Sequence, residues 1–275
     1  MSISSKIPIT VVVPIKNEKD NLERCLSQLS RFDEVLVVDS SSTDGSPEIA
    51  DKFGYRVLNF KWNGHYPKKR NWVLLNHKLA NDWVLFLDAD EIVSDEFCNA
   101  VSHAITTDMC DGYWLNYTNY FLNQRLRYGL PQRKLALFRL GKGLYEKIDE
   151  EGWSTLDMEI HEHPIIEGSI GEIKEPIEHN DYQGLSKFID RHNNYAQWEA
   201  KRAVKLKYSH EELKQHLTRR QKNKYNNLER WWFPWSYFCY VYFIRLGFLD
   251  GKAGFHYAYY KAWYFNTIRL LITPQ

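Results

Sequence analysis

Asp82-Trp83-Val84-Leu85-Phe86-Leu87-Asp88-Ala89-Asp90-Glu91 is the stretch from which the rest of the chain is read. Five apolar, β-prone residues, 83–87, stop abruptly at three carboxylates within four positions. That is the pattern of a buried strand delivering acids at its C-terminal end. In open α/β sheets ligands bind at that edge, outside the carboxyl ends of the strands. Asp88 and Asp90, one small residue apart, can both reach a hard divalent cation, which prefers oxygen ligands and shares them with substrate phosphates. An acidic turn capping a helix that opens near Ser94 would carry the same letters, so the flanking segments decide.

Upstream, residues 9–15 (Ile-Thr-Val-Val-Val-Pro-Ile) and 34–39 (Glu-Val-Leu-Val-Val-Asp) read as strands buried on both faces, and 55–60 as a third. Between them lie helical patterns at 21–31, where Leu22, Cys25, Leu26 and Leu29 share a stripe, at 46–53 and at 68–79. Ser40-Ser41-Ser42-Thr43-Asp44-Gly45 supplies turn and capping residues. Strands alternating with helices predict βαβ units and a largely parallel sheet. Downstream the rhythm changes: a helix over 94–105, strands over 112–122, 134–140 and 172–179, a loop-rich 141–171, and helices from about 185 to 271. The expected organisation is an α/β domain over 1–180 followed by a helical extension over 181–275.

In a parallel sheet the ends carrying Asn17 and Glu18, Asp39, and the Asp88/Asp90 pair are neighbours, so carboxylates, an amide and hydroxyls converge on one crevice. A carboxylate can accept a base N–H and metal-bound acids can hold a diphosphate, which together suit a nucleoside diphosphate. Lys68, Lys69 and Arg70 open the helix before the acidic strand, placed to reach phosphate oxygens; a solvated helix end is the competing reading. No G-x-x-x-x-G-K-[ST] and no G-x-G-x-x-G occurs, which excludes P-loop and dinucleotide-binding readings.

Val-Val-Val-Pro-Ile-Lys-Asn-Glu (11–18), Val-Val-Asp-Ser-Ser-Ser-Thr-Asp-Gly (37–45) and Leu-Asp-Ala-Asp-Glu (87–91) resemble, in order and spacing, successive signatures of family 2 glycosyltransferases. The resemblance implies the GT-A fold, a Rossmann-like, mixed, mostly parallel sheet flanked by helices, with 1–91 as nucleotide-sugar half and 92–180 as acceptor half. It implies a UDP-hexose donor, Mn2+ or Mg2+, and inverting transfer. By position Pro14, Asn17 and Glu18 would line the nucleoside pocket and Asp39 would bind a uracil-like base, with Asp44 and Lys69 nearby. Asp88 would contact ribose or metal, and Asp90 would ligate the metal.

Direct displacement needs a general base for the acceptor hydroxyl. The resemblance seeks it in an acidic motif well downstream of the metal strand, and Asp157-Met158-Glu159-Ile160-His161-Glu162-His163 is the dense candidate. Its Ile-His-Glu is similar to the His-Glu pair of the lipopolysaccharide-core glucosyltransferase branch, which nominates Glu162, with Glu159 as rival. His179 resembles the histidine that completes the metal or diphosphate site. Arg191 would reach the diphosphate or sit on a solvated helix face, and Arg139 would contact acceptor or diphosphate. The implied reaction is transfer of glucose to a lipopolysaccharide core or other lipid-linked saccharide. Two other readings stay open. A nucleotidyltransferase would show a Gly-rich, basic loop after the first strand, where Lys16-Asn17-Glu18 stands. A sugar-nucleotide-binding membrane protein need not be an enzyme.

The net charge of +1 argues against bulk electrostatic binding of nucleic acid. Four scattered cysteines, without C-x-x-C or metal spacing, fit reduced thiols in the cytosol, and residues 1–6 show no signal-peptide core. Aromatic residues crowd the C-terminal third. Residues 231–244 are uncharged and flanked by Arg230 and Arg245, but they are too few to span a bilayer and contain Pro234. Trp and Tyr beside Arg219, Arg220, Lys222 and Lys224 suit an element lying at a membrane surface, at 231–249. A buried helical subdomain or an oligomer interface would use the same composition. Phe248-Leu-Asp-Gly-Lys-Ala-Gly-Phe255 also resembles a signature of the lipopolysaccharide-core branch, whose members act on lipid-linked glycans. The expected location is cytoplasmic, or peripheral on the cytoplasmic face of the inner membrane.

Overall fold

The computed structural model describes residues 6–107, 109–147, 157, 163–179, 184–208, 217 and 219–273. The chain divides into two compact units, Met1–Thr118 with Gln132–Asn180, and Asn119–Pro131 with Asp181–Gln275. The stretch 119–131 goes with the C-terminal unit. Phe121 and Leu126 from that stretch pack in one cluster with Phe188, Val241 and Tyr257.

The first unit begins with strand β1 (Ile7–Ile15), helix α1 (Lys19–Leu26), β2 (Phe32–Asp39), α2 (Ser46–Lys52), β3 (Arg56–Asn59), α3 (Lys69–Asn76) and β4 (Trp83–Phe86). The apolar stripe expected to run as one helix to Arg31 breaks after Leu26, and Leu29–Arg31 forms a separate 3-10 turn. These strands pair in parallel in the order β3-β2-β1-β4. Because β1 is covered on both sides, every residue from Ile9 to Ile15 is buried. Val11, Val13, Val37 and Leu85 contribute to this core, each worth roughly 1.5–3 kcal/mol of apolar burial.

Next come β5 (Glu91–Ile92), α4 (Asp95–Thr107), β6 (Gly112–Phe121), β7 (Gln124–Leu126), β8 (Arg133–Arg139), β9 (Gly143–Tyr145), β10 (Pro164–Ile166) and β11 (Ile170–His179). The sheet continues from β4 through β8, β6 and β11 to β5, making nine strands among the described residues, with β7 paired to β6. The β4–β8 and β6–β8 pairs are antiparallel, so the sheet is mixed. Segment 141–171, expected as loop, contains the antiparallel β9–β10 pair. Strands of two or three residues are too short for alternation to register in sequence.

The second unit holds α5 (Leu185–Tyr208), α6 (Arg219–Asn227), α7 (Phe233–Cys239) continued by a π turn (Tyr240–Ile244), a 3-10 turn (Gly247–Asp250) and α8 (Gly251–Ile272). α8 buries Ala253, Tyr257, Ala258, Ala262, Phe265 and Ile268 and packs on α5 and α7. Its entry is specified by two residues of the 248–255 signature. Asp250, buried, accepts backbone N–H bonds from Arg127 and Tyr128 at 2.9–3.1 Å. Gly254 lies so close to the 3-10 turn that a Cβ there would stand 1.9 Å from the Gly247 carbonyl oxygen. That signature is therefore at least in part a packing device. No helix among the described residues is long and apolar enough to cross a membrane.

Candidate active site

The sheet order places the crevice. From β1 the chain steps outward to β2 and β3, then returns to β4 on the other side of β1. Such a reversal opens a cleft at the carboxyl ends of the two strands. Register fixes what meets there: Ile15 is level with Asp39, and Val12 with Phe86, so Asn17, Glu18, Asp39 and Asp88 leave the sheet at one edge.

Backbone hydrogen bonds stitch the loops after β1 and β2 together. Asn17 adopts the left-handed region (φ 57°), which an Asn tolerates better than most residues. Its N–H donates to Ser42 Oγ and its Oδ1 accepts the Thr43 N–H, both at 2.8 Å. The Glu18 N–H donates to Ser46 Oγ, and the Lys19 N–H to Asp44 Oδ2, each at 2.9 Å. Asp44 also accepts the Ser46 hydroxyl at 2.6 Å, and these donors hold its carboxyl below the usual range. Asp39, buried, accepts the Ser42 N–H and hydroxyl, a bidentate cap that fixes the carboxylate at the strand end. Burial pushes the Glu18 carboxyl up; the Asn21 amide opposes this, and the charges of Asp90, Asp88 and Asp44 add to it. Pro14 stands level with Val38 one residue below this edge.

Asp88 is held between two cations. Arg70 donates to its Oδ1 at 2.6 Å, and Lys134 Nζ lies 3.5 Å from its Oδ2. Burial alone would raise this carboxyl, but Lys134 and Arg70 overcome it and hold Asp88 well below the usual carboxylate range. Lys134 arrives by register. β8 runs antiparallel to β4 with Leu137 opposite Leu85, and three residues further that pairing sets Lys134 opposite Asp88. Its ammonium also donates to both oxygens of the buried Glu91, at 2.7 and 2.5 Å, while the Tyr117 hydroxyl donates to Oε1. The Asp88 N–H donates to Glu91 Oε2 at 3.0 Å, closing the turn. Burial pushes both the Glu91 carboxyl and the Tyr117 phenol upward, against the pull of the Lys134 ammonium on Glu91.

Asp90 takes a different direction. β11 pairs with β5 so that His179 faces Glu91, and His179 Nε2 lies 3.4 Å from Asp90 Oδ2. Two donors each about 2.1 Å from one octahedral ion stand about 3 Å apart, so the pair fits adjacent ligands of a Mn2+- or Mg2+-sized ion. Among the described residues no set of three or more His, Cys, Asp or Glu is arranged for a metal. Two donors among the described residues would suffice for an ion that takes its remaining oxygens from water and phosphate. Asp88, expected as a further ligand, directs its carboxylate to Arg70 and Lys134 in this structure.

The basic triplet is not a solvated helix end: Lys68, Lys69 and Arg70 are all buried. Lys69 Nζ donates to the Ile15 carbonyl at 3.0 Å and lies 3.6 Å from Asp157 Oδ2; burial pushes its ammonium down and Asp157 pulls it back up. Arg139 is not brought to the crevice. The same antiparallel register that delivers Lys134 carries Arg139 opposite Trp83, five residues or about 17 Å along the strand from Asp88, where its guanidinium stacks on the Trp83 ring. Arg191 belongs to α5 in the second unit. Glu159 and Glu162 lie outside the described residues. Lys134, Glu91 and Tyr117 were not picked out as site residues from sequence. Only cross-strand pairing brings them together, although Glu91 sits within the quoted acidic stretch.

Residues 10–161, from β1 into the acidic segment, match the family profile described as glycosyl transferase family 2, over more than half of the chain. The chain belongs to that family. It is a glycosyltransferase of the GT-A fold. An uncharacterized glycosyltransferase of Rickettsia conorii is 28% identical over 255 residues, 88% of this chain and 83% of that one. The lipopolysaccharide core biosynthesis glycosyltransferase LpsC of Rhizobium meliloti is 25% identical over 178 residues, 60% of each chain. The glucosyl-3-phosphoglycerate synthase of Mycobacterium tuberculosis, crystallised with Mn2+, UDP and glucosyl-3-phosphoglycerate, is 26% identical over 40% of this chain and 43% of that one. Its TM-score of 0.35 makes that likeness too partial to carry an argument about this glycosyltransferase. Family membership displaces the nucleotidyltransferase and non-enzymatic readings.

Proposed function

We propose that this glycosyltransferase moves a hexose, glucose in the first instance, from a UDP-sugar to a lipopolysaccharide-core or other lipid-linked saccharide, with inversion at the anomeric carbon. The observation that carries the donor reading is the convergence of Asp39, Asp88, Asp90 and His179 at one edge of the sheet, at the point where strand order reverses. Asp39 would accept a base N–H, and Asp88 ribose hydroxyls while Arg70 and Lys134 hold it ionised. Asp90 and His179 would hold Mn2+ or Mg2+, whose charge offsets that developing on the departing diphosphate. Glu162, or Glu159 in its place, takes the proton from the acceptor hydroxyl as that oxygen bonds to the anomeric carbon and the bond to the UDP oxygen breaks. The acceptor class rests on the LpsC relative and on the 248–255 signature. A UDP-sugar donor and lipid-linked acceptor set the reaction at the cytoplasmic face of the inner membrane.

A thermal-shift screen of UDP, UDP-sugars and other nucleoside diphosphates, with Mn2+, Mg2+ or EDTA, tests the donor site, because a ligand that binds only the native state raises the melting temperature. The expected result is a UDP-specific, metal-dependent rise that Asp90→Ala abolishes. A rise of the same size in EDTA would refute the metal assignment, and no rise with any nucleotide would refute the donor site. Glu162→Gln should leave the UDP shift intact and lower transfer by about 10² or more. If Glu159→Gln does so instead, the base is Glu159.

A further inference from the structure

Residues 233–244 fold as α7 and its π turn, Trp231 and Trp232 lie in the turn before them, and the stretch is apolar on both sides. Phe233, Pro234 and Val241 turn inward, whereas Trp231 (72% exposed), Trp235 (61%), Phe243 (54%) and Ile244 (71%) face outward. The stretch holds no charged residue. A surface helix of a globular protein normally keeps its outer face polar. The exposed patch continues into the next elements, because the Tyr242 ring lies 5.1 Å from Phe243, 6.2 Å from Phe248 and 5.6 Å from Phe255 on α8. Contiguous apolar surface of this kind marks an interaction site.

Charge says what covers it. Residues 219–275 contain nine Lys and Arg against two Asp and Glu, a net of +7, in a chain whose total is +1. Neither acid offsets the patch: Asp250 is buried on the Arg127 and Tyr128 N–H groups, and Glu229 pairs with Lys207 at 2.8 Å. Lys224 is taken up by the buried Glu199, but Lys222, Arg230, Arg245 and Lys252 are exposed, Arg230 and Arg245 directly bracketing the uncharged stretch in the sequence. We infer that the outer face of 231–249 docks on an anionic bilayer surface, its Trp and Phe rings at headgroup depth and its cations on the lipid phosphates. Amphipathic rings flanked by Lys and Arg are the composition of an interfacial element. A second copy of the chain is a poorer occupant: in a two-fold interface the patch would meet itself and set its own exposed cations against one another. The inference rests on no assignment in the donor site.

Flotation of the full chain with phosphatidylcholine vesicles, and with vesicles containing about one third phosphatidylglycerol, tests it. The expected result is co-flotation with the anionic vesicles at least about tenfold above that with neutral ones, lost at high salt, where surface charge is screened. Trp235→Ser with Ile244→Ser should reduce partitioning about tenfold or more. Lys222→Glu with Arg230→Glu and Lys252→Glu, all at exposed positions, should abolish the anionic preference while leaving the melting temperature unchanged. Equal flotation with both vesicle types would overturn the electrostatic half of the inference. Absence of flotation would overturn the whole, and concentration-dependent dimerisation in sedimentation would then assign the face to a second copy. The UDP shift measured on the same preparation keeps the outcomes separate, since its loss counts against the donor site and not against this surface.

Discussion

Lys134 is the residue whose role depends most on its surroundings. Its ammonium is shared between Asp88 and the nearly solvent-free Glu91, so removing it leaves carboxylates in a low-dielectric site with Arg70 as the cation whose bond to Asp88 remains. Breaking a buried ion pair from one side costs about 3–5 kcal/mol, far more than loss of a surface pair. Lys134→Met should therefore lower the denaturation midpoint by an amount of that order in urea, and Lys134→Arg by much less. If Lys134→Met unfolds at the wild-type midpoint, Glu91 is neutral in the folded protein and the ion-pair description is wrong. Asp90 differs: it is a quarter exposed and touches His179, so Asp90→Ala should cost little stability while removing the metal dependence of UDP binding.

Elements of the second unit are specified by close backbone approach and by aromatic packing. Gly254→Ala would push a methyl group into the Gly247 carbonyl, and since both atoms belong to packed backbone, α8 must shift. The expected cost is about 3 kcal/mol or more, read from urea unfolding; a loss near 0.5 kcal/mol would mean the two segments slide apart freely. On α5, His192 donates from Nδ1 to the Phe188 carbonyl, and its ring centroid stands 3.9 Å from that of Phe188. Burial, with Lys261 nearby, lowers its pKa from the ordinary 6.5 to about 3. The unfolded chain thus takes up a proton that the folded one refuses. The stability contributed by this site is complete above about pH 6.5 and is lost as pH falls toward 3, by at most about 1.4 kcal/mol per unit. Between pH 7 and 5 the wild-type melting temperature should fall more steeply than that of His192→Phe; parallel curves would exonerate His192.

At the scale of the molecule, α8 closes the second unit, and a chain ending at Asp250 loses the surface on which α5 and α7 pack. Its far-UV helical signal should drop by more than the 22 residues of α8 account for. A drop matching those residues alone would make α8 an appendage. The parallel half of the sheet was legible in sequence because β1, β2 and β4 are buried on both faces, and continuous apolar runs such as 9–15 and 83–87 signal that burial wherever they end. Their acidic ends were legible for the same reason: a carboxylate directly after such a run must emerge at the sheet edge. Lys134 and Arg139 were not, because they lie at the two ends of one strand, and only the antiparallel register of β8 on β4 decides which end meets Asp88. Likewise the charge surplus of 219–275 can be counted from the letters. Which rings of 231–244 are buried is settled by packing, since a helix apolar all round carries no periodic signal of its inner face. The sequence by itself determined the strands and helices of the parallel half, the edge of the sheet and the family. Tertiary pairing decided which charges meet, because partners 46 residues apart, such as Lys134 and Asp88, are joined by register and not by spacing.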